Sequence, residues 1–195
     1  MRPPRDTRRN RRHAARGSLG AMLAVVTLAA AAALAGCASP SDKVPGCGDP
    51  LRLAIAAQSV PSASYLPCIR DLPPGWTASG FDPSQDGTGF LLNSDRSPGQ
   101  PVTVRLTTAC RTSGASPSPA RATGVLTYTR LDSIRPRFAG RIYDVFPGGC
   151  VTYTFDFSHG SQIALMEQFT SAVGLYPRQQ LRLVLKQELG VELNP

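Results

Sequence analysis

Apolar and polar residues alternate through the middle of the chain, and the spacing lengthens to a helical one near its end. Val102, Val104, Leu106, Thr108 and Cys110 alternate with Thr103, Arg105 and Thr107; Val151, Tyr153, Phe155 and Phe157 alternate with Thr152, Thr154 and Asp156. Both segments predict strands with one buried face. Weaker strands fit Gly89–Asn93, Gly124–Leu131, Arg141–Phe146 and Trp76–Phe81. The breaks between them are short and rich in Asp, Pro, Ser and Gly: Asp82–Gly87, Asp95–Gly99 and Pro147–Gly149. Breaks of that length suit hairpins, so the strands are expected to form an antiparallel meander.

Helical spacing occurs at both ends of this region. Leu51–Gln58 is apolar and alanine-rich, and Pro61 and Pro67 stop it. Ile163, Met166, Phe169 and Val173 fall on one stripe, joined by Leu165 and Ala172. Pro177 opens a second C-terminal helix, along which Leu181, Val184, Leu185 and Leu189 line one face until Gly190 caps it. Trp76 follows the turn Leu72–Gly75 and is expected as a core anchor. Ser113–Pro119 reads as a small polar loop, the most exposed part of the domain. The expected fold is α+β: an antiparallel β-meander sheet with helices packed on one side, including two C-terminal helices.

The amino terminus follows a different plan. Seven arginines and one acid, Asp6, lie in the first sixteen residues, and no charge follows from Gly17 to Ser41. Ala21–Ala35 is almost purely apolar and leads into Leu34-Ala35-Gly36-Cys37. This order resembles a bacterial lipoprotein signal peptide ending in a lipobox. The resemblance implies cleavage before Cys37, diacylation of its sulfur with palmitate-type chains, and attachment to the outer face of the cell membrane. The competing expectation is an uncleaved anchor, because about 20 apolar residues can span a bilayer. Either way the basic cluster stays inside and the globular part outside. Arg11-Arg12 is followed by His13-Ala14 rather than large apolar residues, which favours general secretion over twin-arginine export and leaves that choice open. The expected organisation is a signal peptide at 1–36, a tether at 37–50 and one domain at 51–195.

The signal changes the charge argument. The whole chain carries a formal +8, but seven of its 21 basic residues and one of its 13 acids precede Cys37. The remaining 14 bases and 12 acids leave +2, so no nucleic-acid partner is expected. Arg130, Arg135, Arg137 and Arg141 remain as a local basic cluster, read as a solvated hairpin face with anionic lipid or wall polymer as the alternative.

Beyond Cys37 there are four cysteines, Cys47, Cys68, Cys110 and Cys150, and in an exported domain four point to two disulfides. Of three connectivities, Cys47–Cys68 with Cys110–Cys150 joins segments that the strand reading places side by side. No close cysteine pair with histidines at ligand spacing exists, so no metal is expected.

Catalytic chemistry finds little footing. His159, the one histidine after Cys37, lies in Asp156-Phe157-Ser158-His159-Gly160-Ser161, without a G-x-S-x-G elbow. The bland expectation is an exposed turn in which Ser158 or Ser161 caps the next helix. Asp82 and Asp86-Gly87 lack the alternating acids of a calcium loop. Asp132, Asp144 and Asp156 are scattered over strands, though Asp144 and Asp156 can share a sheet face. No site and no cofactor is expected.

The Ala/Arg/Pro-rich composition, with Gln58–Ala63, Pro67-Cys68, Leu72–Trp76 and Phe146–Cys150, resembles actinobacterial envelope lipoproteins, and the resemblance implies no activity. The expected role is a non-catalytic binding or accessory domain of the envelope, membrane-anchored through Cys37, with a protein, lipid or wall polymer as ligand. A groove between sheet and helices or the 113–119 loop would receive it. A hydrolase using His159, or an accessory subunit of a transporter or sensor, are the alternatives.

Overall fold

The computed structural model describes residues 43–158 and 162–193. The expected signal peptide 1–36, the expected lipidation site Cys37, His159 and Ser161 lie outside the described residues.

The α+β architecture holds. Helix α1 spans Pro50–Ser59 and strand β1 Tyr65–Ile69. Seven strands follow: β2 Trp76–Ser84, β3 Gly87–Ser94, β4 Val102–Thr107, β5 Ser116–Ser118, β6 Leu126–Ser133, β7 Phe138–Phe146 and β8 Gly149–Phe157. Then come α2 Gln162–Ala172, β9 Val173–Pro177, α3 Arg178–Val184 and a π-helical turn Leu185–Leu189.

The seven strands pair antiparallel in the order β2-β3-β4-β8-β7-β6-β5. This is two meanders rather than one. After β4 the chain crosses to the far edge, starts again at β5, and returns until β8 closes on β4. The expected 113–119 loop is part of that crossing, and its residues Ser116–Ser118 pair with Thr127–Thr129 as an edge strand. The Cys110–Cys150 disulfide ties the crossing to β8, where the Thr152 hydroxyl meets Cys110 Sγ at 3.0 Å. Further along, Arg130 donates to the Ser113 carbonyl. These contacts lie on the face opposite the helices, since Cys150 and Thr152 alternate with the core residues Val151 and Tyr153.

Strand β8 is central, and Val151, Tyr153, Phe155 and Phe157 are all buried. Phe169 of α2 packs over them, with its ring centroid 5.7 Å from that of Phe155 and 6.2 Å from that of Tyr153. Burying a Leu or Phe side chain contributes about 1.5–3 kcal/mol, and α2 buries Leu165, Phe169 and Ala172. Ile163, expected on that stripe, is 61% exposed instead. The buried residues recur at i, i+4 and i+7, and Ile163 falls outside that arc. Trp76 is an anchor as expected: it is buried, and its Nε1–H donates to Gln168 Oε1 of α2 at 2.9 Å.

A second, two-stranded sheet pairs β1 with β9, with Cys68 opposite Gly174. It interrupts what the sequence presents as two consecutive helices. Pro177 precedes α3 as its N-cap, and Gly190 ends the following turn at φ 63° with its N–H on the Leu185 carbonyl. The end of the expected tether belongs to the domain. Cys47 N–H donates to the Ile69 carbonyl, Ile69 N–H to Pro45, and Cys47 is bonded to Cys68.

Candidate functional site

Among the described residues, the strand carboxylates weighed for chemistry are held by arginines. Asp132 bridges Arg130 and Arg141, and Asp156 holds Arg137. Three arginines of the basic cluster are thereby paired on the outer sheet face, as a solvated hairpin requires. The Ser158 N–H and hydroxyl both donate to Gln100 Oε1 at 2.9 Å. Asp86-Gly87 sits in the β2–β3 hairpin, where the Ser84 hydroxyl donates to the Gly87 carbonyl. No helix among the described residues is long and apolar enough to cross a membrane.

Asp144 corrects one expectation. It lies opposite Val151, an odd number of residues from Asp156, so the two carboxylates occupy opposite faces of the sheet. Asp144 is fully buried on the core side. Its Oδ2 accepts from Arg121 Nη1 and its Oδ1 from the Thr127 hydroxyl, both at 2.8 Å. Arg121 also donates to the carbonyls of Thr170 and Val173 at the end of α2, and its guanidinium lies 4.7 Å from the Tyr153 ring centroid. Burial alone would lower the Arg121 pKa, but Tyr153 and Asp144 outweigh it and raise the value. Burial pushes the Tyr153 phenol up, Arg121 opposing and Asp144 adding. The cluster joins sheet, the β5–β6 connection and helix; Asp144 is fully buried and Arg121 mostly so. Its arrangement is that of a staple.

The open site is a cleft of about 570 Å³ between the 61–65 segment and the start of α3. Its walls are fixed from both sides. Ser64 N–H donates to Pro147, Arg178 N–H to the Ser64 carbonyl at 2.8 Å, and the Ser62 hydroxyl to Gly148 at 2.6 Å. Pro147-Gly148 is a two-residue turn whose glycine has φ 74°. A Cβ at Gly148 would stand 1.8 Å from the Ser62 carbonyl oxygen, so that close approach requires glycine. Arg178 is 7% exposed and donates to the carbonyls of Ala57 and Val60 at the end of α1, where a cation is favoured. Tyr65 donates its hydroxyl to Thr123.

Sequence reasoning missed this cleft. Ser62, Ser64 and Tyr65 lie between the helix stops Pro61 and Pro67, and Arg178 and Arg182 lie off the apolar stripe of the last predicted helix. The i, i+4 spacing of the two arginines was the available signal.

Compared with known proteins, the chain matches no family model, no curated protein and no solved structure.

Proposed function

We propose that this is a lipid-anchored envelope lipoprotein whose extracytoplasmic domain binds a ligand or partner and catalyses no reaction. The pair of disulfides carries the reading. Cys47–Cys68 and Cys110–Cys150 use all four cysteines after Cys37, as a domain built for an oxidising compartment would. Upstream, Leu34-Ala35-Gly36-Cys37 supplies the route there and the anchor. The cleft between the 61–65 segment and α3 offers a place for a ligand. Asp132, Asp144 and Asp156 are each held by arginine, which supports binding over acid–base work.

Replacing Cys37 with Ser tests the anchor. The native protein is expected in the membrane fraction and open to added protease on intact cells, with C37S released or arrested as the precursor. A native protein that retains residues 1–36 and runs at the same mass as membrane-bound C37S would favour an uncleaved anchor and overturn the lipoprotein reading.

A further inference from the structure

The cleft beside α3 has a marked chemical bias. Among its described lining residues, Arg178, Arg182, Gln179, Ser62 and Ser64 bring donors, and none brings a carboxylate. Arg182 is exposed and makes no ion pair among the described residues. The Ser64 hydroxyl is buried without a hydrogen bond among the described residues, an unmet donor that a ligand oxygen would satisfy. Arg178 and Arg182 bring two positive charges to one wall; burial, and after it the charge of Arg182, lowers the pKa of Arg178. The volume suits a small organic molecule better than a bare ion.

We infer that the cleft binds the phosphate group of a small phosphate ester, with Arg182 and Arg178 facing its charge and Ser64 donating to one of its oxygens. Two guanidiniums match the roughly −1.5 to −2 charge of a phosphate monoester better than the single charge of a carboxylate. The inference names a ligand class for the binding role proposed above and rests on that reading. The ester has two possible sources, a soluble metabolite or a lipid headgroup.

Titration calorimetry on the full chain in neutral detergent, at low salt, tests it with glycerol 3-phosphate as the soluble probe. Micelles doped with phosphatidic acid provide the lipid arm. Saturable binding is expected in at least one arm, and the arm that binds identifies the source. Arg182→Gln should weaken it about tenfold or more, the loss of one charge-assisted contact. Arg182 is exposed, so the variant should fold, and an unchanged melting temperature would verify this. Ser64→Ala gives a second, independent loss of affinity. Absence of saturable binding in both arms, or equal affinity in wild type and Arg182→Gln, would overturn the inference. An unlipidated Cys37 would instead sink the anchor while leaving this titration as it stands.

Discussion

Replacing Asp144 with Ala strands a guanidinium in the core. Asp144 accepts from Arg121 and from the Thr127 hydroxyl, and it is fully buried. Removing one partner of a buried pair typically costs 3–5 kcal/mol, because the other charge stays desolvated. Arg121 retains the carbonyls of Thr170 and Val173, which places the expected loss near the lower end, about 3 kcal/mol. For a domain of this size that is roughly 6–12 °C in melting temperature. Urea denaturation with the disulfides intact provides the measurement. The loss should persist at high salt, since a buried pair is screened little. Asp156→Ala is the control, because its partner Arg137 is half exposed and the pair is worth under about 1 kcal/mol. Replacing Arg121 and Asp144 together with Met and Leu should recover much of the single-variant loss. A loss below about 1 kcal/mol for Asp144→Ala, or one that vanishes in salt, would refute the staple.

Three further outcomes are expected. In an alkaline titration followed by tyrosinate absorbance, Tyr153 should stay silent past the ordinary phenol range, because burial raises its pKa. Its neutral form therefore contributes stability that is complete below the unfolded-state pKa of about 10 and fades only as pH climbs toward the higher folded-state value; titration in the normal range would contradict this. Gly148→Ala should destabilise far more than Gly99→Ala. Both have positive φ and share a strain of about 1–2 kcal/mol, but only the first meets the Ser62 carbonyl; equal melting temperatures would dismiss the close approach. Breaking Cys47–Cys68 or Cys110–Cys150 by paired Ala substitution should cost about 3 and about 4 kcal/mol respectively, from loops of 21 and 40 residues. Denaturation midpoints unmoved by either change would exclude that contribution.

The legible parts of the fold were those written in local periodicity. Strands β4 and β8 alternate cleanly and lie side by side at the centre of the sheet. Their flanking hairpins followed from turn chemistry, and Cys110–Cys150 from the two strands whose neighbouring ends it joins. Strand β9 was illegible because Val173-Gly174-Leu175-Tyr176-Pro177 has no alternation. It is extended because β1 pairs with it from more than a hundred residues away, and β1 itself contains Pro67. The crossing from β4 to β5 was hidden for the same reason: local pattern suggests hairpins and says nothing about which edge the chain visits next. Asp144 carried a signal that went unread. It occupies the apolar phase of β7, with Phe138, Ile142 and Phe146, where an acid demands a buried partner. The cleft depends on Pro61–Tyr65 meeting α3, a contact between two segments with no periodicity in common.

Anchoring at Cys37 is the central claim, and intact mass of the membrane-extracted protein, before and after reduction, tests it most directly. The account predicts a chain beginning at Cys37 with added acyl groups, gaining four protons as its two disulfides open. A mass that retains residues 1–36, with Cys37 unmodified, would contradict it.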